Sequence, residues 1–374
     1  MFSLEAVITA GMVAERVMDV SERSDIIIEI FAAIVLLAVI SRYSYIEGVV
    51  ASIIAGHGPF SGISSLTVNV SRAGEGSARI SYNQSALEGY ALRLINKDRE
   101  EYGLLPVSLS NTTSGQQHAE SMLSHSYFSH WDLHGMKPYM RYTLLGGNGS
   151  VSENIAYETA MRCLADVCTG ALNPNQSLQE MEYSMMYNDT LCCNNGHRKN
   201  ILDPNHNRVS IGIAYNGSTM YFVEDFIDSY IIWSNGTPAY SNTGEVYLSG
   251  IFPRTYSLSQ VYVSYDPPLQ NYTKANVPGG PYGYGAEIAG VASSSSYYFQ
   301  GIHTIVADRY SYSGNSFDVR FSIENLVGQY GAGEYTIVTL LNNTGLEGAN
   351  RTFVGATYTL FLNSSGAVVI PEHA

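Results

Sequence analysis

Apolar residues in the segment that begins at residue 85 follow the period of an α-helix. Ser85-Ala86-Leu87-Glu88 has the spacing of a capping box, which predicts a helix start, and Gly103 is placed to end that helix. A second helical pattern begins near Ser114, and a third spans residues 178–185. This spacing puts the apolar side chains on one face, where they can pack against a sheet.

Strand patterns follow the helices. Val209–Ala214 and Met220–Phe226 are apolar runs joined by Asn216-Gly217, a dipeptide typical of tight β-hairpin turns. After Trp233 the pattern changes to alternation with a two-residue period, interrupted by Gly, Pro and Asn clusters. Five such runs are typical of a β-sandwich. They are Glu245–Leu248, Gln260–Tyr265, Phe317–Ile323, Tyr335–Leu341 and Ala356–Leu362.

A long apolar run lies near the N-terminus, at Ile26–Ile40. At about 1.5 Å per residue it is somewhat short of a hydrocarbon core of about 30 Å, and the fairly apolar residues 41–55 extend it. The long leader, residues 1–25, argues against a cleaved signal peptide. We interpret residues 26–55 as an uncleaved signal anchor, with a buried core helix as the alternative. Arg16 and Arg23 precede the Ile26–Ile40 run and Arg42 follows it, which favours the bulk of the chain outside the membrane.

These patterns divide the chain into five segments and predict an α+β fold. A linker rich in Gly and Ser separates the anchor from a domain of helices and strands, and an all-β sandwich domain follows. The predicted bounds are an amphipathic leader at 1–25, a transmembrane signal anchor at 26–55, a linker at 56–84, a mixed domain at 85–232 and a β-sandwich at 236–370.

Composition agrees with an external location. The formal net charge is −14 and only 14% of the residues are charged, whereas a nucleic-acid binder would show a basic face. Twelve asparagines stand in Asn-x-Ser/Thr sequons, none of them before Asn69, and the composition alone would give about four. The sequence therefore predicts a glycosylated, extracellular region held to the membrane by one N-terminal helix, with no nucleic-acid partner.

The four cysteines fall within one short window. Cys163, Cys168, Cys192 and Cys193 can form two disulfides in three ways. A zinc site built on cysteines is the competing interpretation. The sequence contains no Cys-x₂-Cys, which argues against zinc ligation by cysteine.

Candidate chemistry centres on Asn195–Leu202, which reads Asn-Gly-His-Arg-Lys-Asn-Ile-Leu. Gly196 can adopt backbone angles that other residues avoid, so we expect it to present His197 at a turn in front of the apolar pair that ends the segment. A histidine there can bind a metal or move protons. Taken alone, the segment is more typical of a solvated basic turn than of a functional site.

Four segments of the mixed domain form a recognisable combination. They are Tyr127–His130 followed by Gly135-x-x-Pro138-x-x-Arg141, then Ser152–Ala156, then Gly196–Pro204, and finally the predicted strand pair. In this order and spacing they resemble the CAP superfamily of cysteine-rich secretory, antigen 5 and pathogenesis-related proteins. The similarity is closer to the prokaryotic secreted branch and covers about residues 85–230.

The resemblance implies an α-β-α sandwich with a shallow central cleft that holds two histidines and two acidic residues. His130 and His197 match the two histidines. Glu153 matches one acidic residue, although Ser152 replaces the glycine that usually precedes it. Two neutral imidazoles and a carboxylate can ligate a divalent ion such as Zn²⁺ or Mg²⁺.

The second acidic residue has no firm match, because the usual tryptophan is missing from the third helix. Glu182 aligns best and Glu180 second. Four other histidines of the mixed domain match the cleft poorly. We expect His118 and His125 to be structural and the others, His134 and His206, to lie in exposed turns.

Three functions are compatible with these residues. The first is a surface-anchored module that binds a divalent metal or a ligand, whose partner is a cell-surface protein, a glycan or a small lipid. The second is a metal-dependent hydrolase of the peptidase kind, with His130 and His197 as ligands and Glu153 as the base. The third is a structural envelope protein with a vestigial cleft. The family resemblance favours the first, so we assign no catalytic residue.

Overall fold

The computed structural model describes residues 83–371, except 161, 165, 166, 242, 346 and 347. The predicted leader, the signal anchor and nearly all of the linker lie outside the described residues, so those assignments stay predictions. Among the helices that the structure describes, none is both long and apolar enough to cross a membrane.

Helices of the described residues are concentrated in the first half. They are α1 Gln84–Glu101, α2 Ser114–His125, α3 Pro138–Leu144, α4 Pro174–Tyr187, α5 Thr190–Cys193, α6 Gly196–Ile201 and α7 Glu324–Tyr330, and a 3₁₀ turn spans Gly348–Arg351. The first helix begins one residue before the predicted capping box. Asn83 is its N-cap, and the Asn83 side chain accepts a hydrogen bond from the backbone N–H of Ala86.

Strands occupy both halves of the described chain. Those up to residue 228 are β1 Ser108–Leu109, β2 Ser150–Thr159, β3 Arg162–Leu164, β4 Val167–Thr169, β5 Arg208–Tyr215 and β6 Thr219–Asp228. Those beyond are β7 Ile232–Trp233, β8 Ala239–Tyr240, β9 Glu245–Ile251, β10 Tyr256–Asp266, β11 Ala286–Ala292, β12 His303–Val306, β13 Arg309–Ser313, β14 Ser316–Ser322, β15 Gly333–Asn343 and β16 Thr352–Leu362.

The first half is built on a four-stranded sheet with the order β1-β5-β6-β2. The predicted hairpin is observed as β5 and β6, with Gly217 at positive φ in the turn. Side chains alternate across β6, because successive residues of a strand point to opposite faces. Phe222 packs in a cluster with residues of α1 and α4, and Val223 packs in a cluster with residues of α2. Helices therefore pack on both faces of the sheet.

The second half contains two five-stranded sheets. Their strand orders are β12-β11-β10-β15-β16 and β13-β14-β9-β7, and β8 pairs with β9. Each of the five alternating runs coincides with a strand. Both sheets contribute buried side chains to one apolar cluster, for example Val246 from β9 and Val261 from β10. This alternation of buried and exposed positions explains why the period was readable in the sequence.

Both halves belong to one compact unit, and the connection between β10 and β11 links them. We call residues 267–285 the strap. The backbone N–H of Tyr272 donates to the carbonyl of Leu133 at 2.7 Å, and Ser129 Oγ donates to the carbonyl of Pro278 at 2.5 Å. The strap therefore lies over the loop that follows α2, where the predicted cleft begins.

Candidate functional site

The first wall of the cleft is formed by His130, Arg141 and Glu153. Arg141 on α3 donates from Nη1 to the carbonyl of His130 at 2.8 Å and from Nη2 to Glu153 Oε2 at 2.8 Å. The other oxygen of Glu153, Oε1, accepts a hydrogen bond from His130 Nδ1 at 2.9 Å. One carboxylate on β2 thus fixes both the imidazole and the guanidinium.

Burial changes the protonation of this wall. It lowers the pKa of His130 to about 4, and the positive charge of Arg141 acts in the same direction. Burial raises the pKa of Glu153 to about 7, although the Arg141 guanidinium opposes part of the rise. His130 is therefore a neutral imidazole near neutral pH, the form in which histidine binds metals.

A second carboxyl group lies directly behind Glu153. Asp225 on β6 is its partner in the strand register and is also buried. Burial, followed by the negative charge of Glu153, raises the pKa of Asp225 well above its usual range. Ser114 Oγ donates to Asp225 Oδ2 at 2.5 Å. Two buried carboxyl groups and a single guanidinium favour retention of one proton by the acid pair.

The second wall contains His197 at the start of α6. Its Nδ1 donates to Asp189 Oδ1 at 2.6 Å, while Asp189 Oδ2 accepts from the backbone N–H of Arg198 at 3.1 Å. The carbonyl of His197 accepts from Asn154 Nδ2 at 3.2 Å. Because Asn154 follows Glu153 on β2, its side chain reaches the opposite face and ties the second wall to the same strand.

The expected role of Gly196 is wrong in its detail. Gly196 does not have a positive φ; the left-handed conformation falls on Asn194 and Asn195, with φ of 50° and 59°. Asparagine is one of the few residues other than glycine that adopts this conformation readily. His197 is nevertheless presented at a chain reversal, and Ile201 is buried behind it.

Both walls line one cavity of about 800 Å³. The strap supplies its third side, because Tyr282 and its neighbours also line the cavity. The Tyr282 hydroxyl accepts a hydrogen bond from the backbone N–H of Glu153 at 2.8 Å, and its ring lies 5.0 Å from that of His130. The cleft is therefore a composite of both halves of the molecule.

Glu182 does not occupy the position expected for the second acidic residue. It is buried on α4 against Glu224 of β6, and burial followed by the Glu224 carboxyl raises its pKa well above the usual range. The alternative, Glu180, is exposed and accepts from Gln176 Nε2 at 2.8 Å. The acidic residue that contacts His197 is Asp189, which lies in the loop after α4 and fits no spacing rule.

The other histidines give mixed outcomes. His118 is buried, and its Nε2 lies 2.8 Å from the carbonyl oxygen of Ser129, which agrees with a structural role. The expectation for His206 is wrong: its side chain is buried, and Nδ1 donates to Asp228 Oδ1 at 2.7 Å. His206 is buried because its imidazole pairs with Asp228, which lies 22 positions further along the chain on β6. No local sequence pattern predicts this pair.

The cysteines fall into two pairs. Cys192 and Cys193 are joined by a disulfide between adjacent residues. Cys163 and Cys168 lie opposite each other in the register of the β3–β4 hairpin. Both arrangements keep each pair local in the sequence.

Comparison with known proteins agrees with this architecture. Residues 92–226 match the family model CAP, described as the cysteine-rich secretory protein family. The uncharacterized protein YkwD of Bacillus subtilis (strain 168) is 28% identical over 136 residues, which are 36% of this chain and 45% of that protein. The chain thus spans less than half the length of this curated relative.

A solved structure is also similar in part. It is an extracellular protein containing an SCP domain from Bacillus anthracis str. Ames, with 19% identity and a TM-score of 0.29, covering 40% of this chain and 45% of that one. The family match carries the assignment. Residues 92–226 match the CAP family, which confirms the predicted resemblance of this segment to the CAP superfamily.

Proposed function

We propose that the chain is a membrane-anchored, extracellular CAP protein whose cleft binds a divalent metal ion and a small ligand. One observation carries the proposal. Each cleft histidine has its Nδ1 bonded to a carboxylate, His130 to Glu153 and His197 to Asp189. This carboxylate–histidine pattern orients imidazoles that bind metal through the other nitrogen.

The donor set favours zinc over magnesium, because imidazole nitrogens suit Zn²⁺ and Mg²⁺ prefers oxygen ligands. His130 and His197 are the proposed ligands. Glu153 acts as the residue that orients His130, since both of its oxygens are already engaged. A bound ion would polarise a carbonyl or phosphoryl oxygen of a ligand.

The hydrolase alternative is less well supported. A general base must reach the proton it abstracts, whereas the Glu153 side chain has no exposed surface and is paired with Arg141. The strap also covers the cleft beside His130. These features suit ligand binding better than catalytic turnover of a substrate. The third function, a structural protein with a vestigial cleft, would not explain why both imidazoles are oriented by carboxylates.

The location of the protein rests on the sequons and on the apolar run at residues 26–55. Among the sequon asparagines whose side chains the structure describes, none is buried, so each could carry a glycan. We propose that the anchor and linker hold the CAP domain above the membrane and that residues 236–370 form a β-sandwich domain. That domain would serve as a spacer or as a contact for a surface protein, a glycan or a lipid.

Zinc titration of the full-length protein, followed by calorimetry under oxidising conditions, tests the cleft. We expect His130→Ala and His197→Ala each to weaken binding at least about tenfold. His125→Ala is the matched control, because His125 is an exposed histidine at the end of α2. Equal affinity in all three variants would remove the metal site from the proposal.

A further inference from the structure

The second wall carries a group of metal-binding side chains that shares only His197 with the proposed cleft ligands. Asp189, Cys192, Cys193 and His197 each offer one donor atom, and these atoms all lie within 4.8 Å of one another. In the part of the chain that the structure describes, this is the one group of three or more such residues. Three of its four members are absent from the proposed cleft ligands.

The chain path explains how the group assembles. Helix α4 ends at Tyr187, and the short helix α5 carries both cysteines. Two consecutive left-handed residues, Asn194 and Asn195, then reverse the chain. The reversal brings His197 back onto Asp189, so donors separated by up to eight positions meet in one place.

The geometry suits a tetrahedral ion. With metal–sulfur bonds of about 2.3 Å, the donors of a tetrahedral zinc site lie about 3.8 Å apart. A spread of at most 4.8 Å needs only small side-chain rotations to reach that value. Cys192 Sγ already lies 3.5 Å from Asp189 Oδ1. Asp189 is buried and held by the Arg198 N–H, whereas Cys192 is exposed, so an ion can enter from solvent.

The oxidation state of the cysteines decides whether these donors exist. A disulfide joins Cys192 to Cys193, and a disulfide sulfur is a poor ligand because the thiolate is the metal-binding form. We propose that Asp189, Cys192, Cys193 and His197 form a redox-gated site for a thiophilic divalent cation such as Zn²⁺. The oxidised pair is closed to metal, and the reduced pair binds it.

The chemistry balances with a dithiol as the reductant. The dithiol gives two electrons and two protons to the Cys192–Cys193 bond and becomes a cyclic disulfide, while both cysteines become thiols. The divalent ion then displaces one proton from each thiol and binds the two thiolates. Oxidation by a second disulfide reverses the exchange and releases the ion.

Cobalt titration of the full-length protein before and after reduction tests the site. Reduction by a trialkylphosphine converts the disulfide, the phosphine and one water into two thiols and the phosphine oxide. We expect the reduced protein to bind Co²⁺ with thiolate-to-cobalt charge-transfer absorption, and the oxidised protein to show no such absorption. Asp189→Asn should weaken this binding at least about tenfold.

The second cysteine pair provides the matched control. Cys163→Ser/Cys168→Ser should retain the absorption, and Cys192→Ser/Cys193→Ser should lose it. His130→Ala should also retain it, which separates this site from the proposed cleft. Equal absorption in the two double variants, or no absorption after reduction, would overturn the proposal.

Metal protection of the wild-type thiols gives an independent readout if the Cys192→Ser/Cys193→Ser variant does not fold. Mass spectrometry after alkylation should show Zn²⁺ slowing modification of Cys192 and Cys193 at least about tenfold, with no change at Cys163 and Cys168. Equal modification of both pairs with and without Zn²⁺ would contradict the site.

Discussion

The two walls of the cleft present a histidine in the same way but balance their charges differently. In the first wall, Glu153 has no exposed side-chain surface and is paired with both His130 and Arg141. In the second wall, Asp189 is buried but its neighbours Cys192 and Leu191 are exposed. The buried polar groups of the first wall are paired with one another, whereas the second wall has a metal-donor side chain, Cys192, that is exposed to solvent.

This difference separates a rigid side of the cleft from an adaptable one. A buried ion pair with additional hydrogen bonds is strongly coupled to the fold, and the strap covers it through Tyr282. A reversal made of short helices and two left-handed asparagines carries fewer such constraints. We therefore expect substitutions in the first wall to change stability and those in the second wall to change metal binding.

Removal of the guanidinium should have the largest effect. Arg141→Met leaves the buried Glu153 without its cation, and breaking a buried pair costs about 3–5 kcal/mol. The free energy of unfolding, measured by denaturant titration, reports this loss. Lys97→Met is the control, because the Lys97–Glu101 pair is largely exposed and should contribute less than about 1 kcal/mol. Similar losses in both variants would mean that the first wall is not specially coupled to the fold.

The pH dependence of stability should come next in size. Glu153 has a raised pKa, about 7, so its stabilisation is fully present below its unfolded-state pKa and is lost as the pH rises to about 7. His130 has a lowered pKa, about 4, so its contribution to stability rises with pH between about 4 and 6.5. The two effects oppose each other in the wild type.

His130→Gln removes one of these effects and keeps a hydrogen-bond donor for Glu153. We expect its stability, relative to wild type, to fall by about 2 kcal/mol between pH 4.5 and 7. Denaturant titrations at several pH values, in the presence of a chelator, measure the difference. Parallel pH profiles for the two proteins would show that the pair does not titrate as described.

The contact from the strap should have the smallest effect. Tyr282→Phe removes the acceptor for the Glu153 backbone N–H, and a typical hydrogen bond contributes about 1 kcal/mol. The matched control is Tyr284→Phe, because Tyr284 is a strap tyrosine whose ring packs against Tyr139. Denaturant titration should show a loss in the first variant and little change in the second. The reverse order would argue against an anchoring role for Tyr282.

Much of the framework could be predicted because its signals are local. The β5–β6 hairpin follows from two apolar runs and Asn216-Gly217, and the strands of the second half follow from alternation. His130, Glu153 and His197 were identified by motif and line one cavity. Their proposed roles as metal ligands stay predictions.

The acidic partner of His197 could not be predicted, because the choice depends on chain reversal. Glu182 and Asp189 are both acidic and both precede His197 in the chain. No spacing rule decides which of the two contacts His197. Glu182 points from the helix α4 towards Glu224 on the sheet, whereas Asp189 lies beyond the helix end and meets His197. Alignment on the helix therefore selects Glu182, which lies within the helix, and misses Asp189, which lies beyond its end.

By itself, the sequence determined the α+β class, the CAP motifs and the sheet-rich second half, because hydrophobic period and short motifs act over a few residues. The tertiary structure alone decided the partners: Asp189 for His197, Asp225 for Glu153, and the Tyr282 ring for His130. Asp225 and Tyr282 lie far along the chain from their partners, and Asp189 reaches His197 through the chain reversal after α4. Each contact depends on packing that only the folded core creates. Local pattern therefore specifies which elements form, and packing specifies which charges meet.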